Sequence, residues 1–234
     1  MHIAGPLGPL AQAAIWERLR QGPSAGAPAG GTAAGGAAAG GAPATGVADA
    51  AAARTVASSP FGKGKSVLVL GDSHTEAGAF GAQLTQRISD NGAKVSVDAK
   101  SGKSPTYFFG RVEKLVKEHK PDTIVIALGT NYREDGDGKT QGMVDAQVKG
   151  LVKRLRAAGS TAEIVWVGPP SLRQDGADGG AALRTFDARM KKALGNEGRY
   201  IPSSELTRYE GRDGVHYTQV AARHWADKVF EAAR

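Results

Sequence analysis

From residue 61 onward, short apolar runs alternate with longer stretches in which apolar side chains recur every three or four positions. The runs at 66–70 (SVLVL), 95–97 (VSV), 123–128 (TIVIAL) and 164–167 (IVWV) are rich in β-branched residues, and a weaker one follows at 199–201 (RYI). Near-continuous hydrophobicity marks strands buried on both faces, as in parallel sheets. The intervening periodicity predicts helices over 80–91, 107–120, 143–158, 181–194 and 218–232, with 174–180 (QDGADGG) as an exposed loop. Strands alternating with helices predict right-handed βαβ units and a three-layer α/β sandwich. Ligands of such sheets sit beyond the carboxyl ends of the strands, and candidate chemistry is sought there.

The first sixty residues follow a different pattern. Between 21 and 53 the chain is almost wholly Gly, Ala and Pro, and it cannot bury enough apolar surface to offset its ordering entropy. Residues 21–60 therefore read as a flexible linker, and 61–234 as the globular domain. Residues 1–20 read as a disordered tail or a short amphipathic docking segment, with Ile15, Trp16 and Leu19 as anchors for a protein or cell-wall partner. Pro6 and Pro9 break its apolar run and the arginines follow that run, which does not fit a secretory signal. The run is also too short to span a membrane. The compartment stays open.

Composition narrows the chemistry further. With no cysteine among 234 residues, a thiol nucleophile, a disulfide framework and a Cys-ligated metal are excluded. The net charge is +7, of which residues 61–234 carry +6, from 27 basic and 21 acidic side chains. These charges interleave, as at 111–118 (RVEKLVKE), in the manner of a solvated helix face. No basic run with interleaved aromatics points to nucleic acid. A mildly basic surface does favour an anionic polymer through long-range attraction.

Three predicted strand ends carry reactive side chains. The first runs into Gly71-Asp72-Ser73-His74, the third ends Gly129-Thr130-Asn131, and Asp213-Gly-Val-His216 precedes the last helix. A hydroxyl, an amide and an Asp/His pair are thus brought to one sheet edge. Acyl transfer needs these types: a Ser made nucleophilic by a His base, a carboxylate fixing the imidazole tautomer, and donors for an oxyanion. An Asp three residues before a His, on a tight turn, can hold Nδ1 while Nε2 faces outward. The G-x-S-x-G elbow of α/β-hydrolases is absent, because Thr75 stands at the second Gly position.

The bland readings are specific too. Ser73 suits the N-cap of a following helix, Asn131 an Asx-turn, Asp213 a plain turn and His216 a local helix-start hydrogen bond. Asp72 reads as structural, bonding the N–H groups of its own loop. His74 reads as loop packing or a substrate contact, Trp166 as core, and His119 and His224 as helix-terminal and surface residues. Asp72 and His74 lack a third metal ligand at sensible spacing.

These blocks resemble those of the SGNH hydrolase, or GDSL, family: Gly71-Asp72-Ser73 the first, Gly129-Thr130-Asn131 the third and Asp213-Gly-Val-His216 the last. The second block, a Gly after the second strand, is best met by Gly102, with Gly110 nearby. The resemblance runs from about residue 66 to 234. It implies a flavodoxin-like, five-stranded parallel sheet in order 2-1-3-4-5, and a catalytic triad of Ser73, Asp213 and His216. It also implies an oxyanion hole from the N–H groups of Ser73 and Gly102 and the Asn131 amide, with no metal or organic cofactor. His74 replaces the Leu of the family's name, a variant similar to esterases of acetylated polysaccharides and peptidoglycan. The expected activity is hydrolysis of short-chain acyl esters, acetyl above all, on a glycan. The alternatives are a lipase or thioesterase of the same fold, or a non-catalytic carbohydrate-binding or scaffold module.

Overall fold

The computed structural model describes residues 59–132, 141–175 and 180–234. The expected tail at 1–20 and nearly all of the linker at 21–60 lie outside these residues, as does most of the 174–180 loop. Five parallel strands form one sheet: β1 (Ser66–Gly71), β2 (Lys94–Ala99), β3 (Thr123–Ala127), β4 (Glu163–Val167) and β5 (Arg199–Ile201). Their spatial order is β2-β1-β3-β4-β5, as expected for the flavodoxin-like arrangement.

Alternate residues of the central strands serve two separate cores, which makes the sheet the middle of three layers. Leu68, Leu70, Ile124, Ile126, Ile164 and Trp166 face one core. That side is covered by α3 (Val112–His119), α4 (Gln141–Ala157) and α5 (Ala181–Leu194). Val67, Val69, Val125, Val165 and Val167 face the other core, under α2 (Ala79–Asp90) and α6 (Gln219–Ala233). Burial on both faces explains why these strands read as continuous apolar runs. Trp166 is fully buried, and its indole N–H donates to the Leu128 carbonyl at 3.0 Å. Among the described residues no helix is long and apolar enough to cross a membrane.

Two local expectations fail for identifiable reasons. The helix expected over 107–120 is broken into a 3₁₀ turn (Pro105–Phe108) and α3. Tyr107, Phe108 and Phe109 all pack on the same core. Consecutive positions on one α-helix point about 100° apart and cannot do that together. The loop after β1 is also more ordered than expected, because Ser73–Glu76 forms a helical turn, α1. Asp72 caps it, accepting the His74 N–H at 3.1 Å.

Gly71 is what lets α1 fold back onto the strand end. A Cβ built there would stand 2.2 Å from Thr75 Oγ1 and 2.4 Å from Thr75 Cβ. Thr75 is 2 % exposed and has little room to yield. Gly71→Ala is therefore expected to destabilise the fold by about 1–3 kcal/mol through overpacking. Urea unfolding checks this, and an unchanged midpoint would contradict the contact.

Candidate active site

At the carboxyl edge of the sheet the chain assembles a line of hydrogen bonds. Ser73 Oγ lies 3.0 Å from His216 Nε2, and His216 Nδ1 lies 2.7 Å from Asp213 Oδ2. The other Asp213 oxygen accepts the backbone N–H groups of Val215 and His216, at 2.9 and 2.7 Å. Gly214 has φ +96, a left-handed conformation that bends the chain between Asp213 and His216. The hydrogen bond from His216, followed by that from Val215, holds the Asp213 carboxyl well below the usual carboxylate range.

The loop bearing Asp213 and His216 has no regular structure of its own and is fastened on several sides. The Gly214 N–H donates to Tyr209 Oη at 2.6 Å, and the Gly214 carbonyl accepts the Arg173 N–H at 3.1 Å. Gly211 and Tyr217 pair as an antiparallel bridge, while Tyr217 Oη donates to the Ser171 carbonyl at 2.7 Å. Thr218 then caps α6, accepting the Ala221 N–H at 3.3 Å. Despite these ties the His216 and Asp213 side chains are 51 % and 56 % exposed. The site is an open one.

Gly102 is positioned by its two neighbours. Ser101 donates its N–H and Oγ–H to the Glu76 carboxylate, at 2.6 and 2.5 Å, which straps the chain after β2 to the end of α1. On the other side the Lys103 carbonyl accepts from Asn131 Nδ2 at 3.3 Å. Gly102 itself has φ +72. Among the described residues no protein acceptor takes the N–H of Gly102 or of Ser73, so both remain available to a ligand. Gly110 lies beyond the 3₁₀ turn, outside this bracket. Asn131 Nδ2 also donates to Asp72 Oδ2 at 3.2 Å, which links the end of β3 to α1.

Two buried ionisable groups underlie the site. Asp72 is 2 % exposed; burial pushes its carboxyl up to about 7, against the His74 N–H bond and the nearby His216. His74 is 4 % exposed, and its ring centroid is 5.3 Å from that of His216 and 5.5 Å from that of Trp225, edge-on to the latter. Burial, reinforced by His216, lowers His74 to about 4, so it stays uncharged at neutral pH. Its Nε2 is buried and has no hydrogen-bond partner among the described residues. Neither the Glu76 strap nor the His74–His216 contact is anticipated by the sequence, since both depend on elements that meet only in the folded chain. The surface expected for His224 and the helix-end position expected for His119 are observed. A cavity of about 570 Å³ near Tyr217 and Trp225 is lined by none of Ser73, Asn131, Asp213 or His216. Among the described residues no group of three His, Cys, Asp or Glu side chains is arranged to hold a metal ion.

Residues 69–223, more than half of the chain, match the GDSL-like lipase/acylhydrolase family. The chain belongs to that family, and it is a hydrolase acting on ester bonds. No curated protein matches its sequence. Among solved structures it is similar to TesA, with TM-score 0.57 and 23 % identity over 70 % of this chain and 96 % of that one. A carbohydrate acetylesterase from Sinorhizobium meliloti gives TM-score 0.54 and 17 % identity, over 72 % of this chain and 97 % of that one. A variant of an acetyl xylan esterase from Geobacillus stearothermophilus gives 0.56 and 18 %, over 71 % and 93 %. At these identities the likeness is one of fold.

The two buried groups oppose each other in the pH dependence of stability. An unfolded Asp ionises near 3.8 while folded Asp72 holds its proton to about 7, so its contribution is lost as pH rises from about 4 to 7. An unfolded His gains a proton near 6.5 while folded His74 resists to about 4, so its contribution is lost as pH falls through that interval. Between about pH 4 and 6.5 the two slopes cancel. Relative to the parent, Asp72→Asn is expected to lose stability on acidification by up to about 1.4 kcal/mol per pH unit. His74→Leu is expected to lose it as the pH rises. Urea unfolding at pH 4.5, 5.5 and 6.5 measures both, and curves parallel to the parent's would refute the shifts.

Proposed function

We propose that this esterase hydrolyses short-chain acyl esters, acetyl above all, on a carbohydrate or peptidoglycan-type glycan, through a covalent acyl-enzyme on Ser73. The observation that carries the reading is the continuous line from Ser73 Oγ through the His216 ring to Asp213, at 3.0 and 2.7 Å. Both distances fall within the reach required of a nucleophile and its base.

In the first step Ser73 Oγ attacks the ester carbonyl and its proton passes to His216 Nε2. Asp213 fixes the Nδ1–H tautomer and stabilises the imidazolium that forms. The carbonyl oxygen becomes an oxyanion, which accepts from the N–H groups of Ser73 and Gly102 and from Asn131 Nδ2. The two present contacts of that amide, at 3.2 and 3.3 Å, are long, so one proton can turn to the oxyanion at small cost. Collapse of the intermediate expels the alcohol, protonated by His216. Water activated by the same imidazole then releases the acid and restores Ser73. Neutral His74 behind His216 adds no charge to oppose the imidazolium.

The acetyl-glycan preference rests on the exposure of the site, the GDSH variant of the first motif, and a fold shared with a carbohydrate acetylesterase and an acetyl xylan esterase. A lipase or thioesterase of the same fold is the competing reading.

Ser73→Ala is expected to retain its fold and lose ester hydrolysis by at least about 10⁴-fold in kcat, as loss of a triad member does. Turnover of p-nitrophenyl acetate reads this directly; more than a tenth of parental activity would remove Ser73 from the nucleophile role. In a series of p-nitrophenyl esters, acetyl is expected to have the highest kcat/KM. Octanoyl hydrolysed more than about ten times faster would select the lipase reading instead.

A further inference from the structure

The chain between β2 and α3 carries three cations beside the candidate oxyanion donors, and two of them are committed. Lys100 pairs with Glu76, Nζ to Oε1 at 3.3 Å. Arg111 donates to Asp98 Oδ2 from Nε at 3.1 Å and from a terminal nitrogen at 2.7 Å. Lys103 differs: it is exposed and has no carboxylate partner among the described residues. Its ammonium rests instead over the half-buried Tyr107 ring, 5.8 Å from the centroid, with the Arg111 guanidinium 5.0 Å from the same ring.

The position of Lys103 is fixed at its backbone and free at its tip. Its carbonyl accepts from Asn131 Nδ2, so the residue is anchored at the place where the proposed mechanism holds the oxyanion. Half-buried Ser104 and exposed Thr106 add hydroxyls 2.9 Å apart on the same stretch. A solvent-exposed ammonium over a half-buried aromatic ring is a weak contact that an anion can displace. The part of the phenol ring that Lys103 leaves, beside the Arg111 guanidinium, then offers an apolar surface of the kind on which a sugar ring packs.

From this juxtaposition we propose that Lys103 and Tyr107 form a subsite for a carboxylate-bearing sugar unit, such as a hexuronic acid, in the alcohol part of the ester. The inference rests on the esterase reading and deepens it, by assigning the substrate to acidic acylated glycans. A carboxylate suits the site better than a phosphate. One uncommitted ammonium matches one negative charge, whereas phosphate is best met by the bidentate guanidinium fork, which here is engaged with Asp98. A neutral glycan can accept hydrogen bonds from the ammonium but would gain no charge pairing from it.

The test separates binding from turnover. The full-length Ser73→Ala protein, unable to cleave, is titrated calorimetrically with trigalacturonate, xylotriose and glucose 6-phosphate at 20 mM salt. Trigalacturonate is expected to bind about fivefold more tightly than xylotriose, the upper range for one exposed ion pair. Lys103→Gln in the same background is expected to abolish that preference and Lys103→Arg to keep it, with salt at 300 mM weakening it. Equal affinity for the two trisaccharides, or a preference that survives Lys103→Gln, would overturn the subsite. Glucose 6-phosphate binding as tightly as trigalacturonate would overturn the carboxylate assignment. Parental turnover of p-nitrophenyl acetate is measured in parallel. A charge preference without turnover would sink the esterase reading and leave the subsite standing; turnover without the preference would do the reverse.

Discussion

The buried carboxyl of Asp72 joins the parts of the site that come from different strands. One of its oxygens caps α1 through the His74 N–H, and the other accepts from Asn131 at the end of β3. It thereby ties the turn that begins at Ser73 to the amide at the end of β3. Such a cap is worth about 1 kcal/mol, and a partner left buried and unsatisfied costs about 1–3 kcal/mol more. Because the group is almost fully buried, the charged form is costly, and its proton is retained to about pH 7. Close approach makes this possible: Gly71 leaves the space that Thr75 occupies, and Gly129 leaves room for the Pro169 ring, 2.5 Å from where its Cβ would stand.

The opposite half of the site is built without secondary structure. Tyr209, Tyr217 and Arg173 hold the Asp213–His216 loop through side-chain and backbone hydrogen bonds, and α6 begins immediately after it. The outcome is an imidazole on an exposed surface, carried by a loop that is hydrogen-bonded on several sides. Under the proposed esterase reading, an open site of this kind suits a bulky alcohol such as a polymer chain and leaves its recognition to groups around the site. Lys103, whose carbonyl accepts from Asn131, and Tyr107, under the Lys103 ammonium, are the residues to which the proposed recognition of substrate charge falls.

Much of this architecture was legible in the sequence because burial on both faces gives a parallel strand an unmistakable apolar run. The three central strands follow from those runs, whereas edge strand β2, which has no buried residue, and the short β5 left only weak runs. The strand order came from the family motifs, and four of the five expected helices from their periodicity. The structure also brings Ser73, His216 and Asp213 within hydrogen-bonding distance, at the edge where α/β topology directs ligands. What escaped the sequence depends on three-dimensional crowding. The break before α3 comes from three consecutive aromatic residues sharing one core, which no helical period encodes. The α1 turn is too short to leave a periodic signal, and the Glu76–Ser101 strap joins residues 25 apart. His74 read as loop packing or a substrate contact; its packing against His216, and the neutrality that burial gives it, appear only once α6 brings Trp225 over its ring.

The central claim is that Asp213, through His216, makes Ser73 a nucleophile. A serine-directed fluorophosphonate tests it most directly, with the adduct located by peptide mass spectrometry and its rate of formation compared in the parent and in Asp213→Asn. The expected result is a single adduct on Ser73 that forms at least about 10²-fold more slowly in the variant, because the wrong imidazole tautomer faces the hydroxyl. An adduct on another residue, or labelling of Ser73 at the same rate in both proteins, would contradict the account.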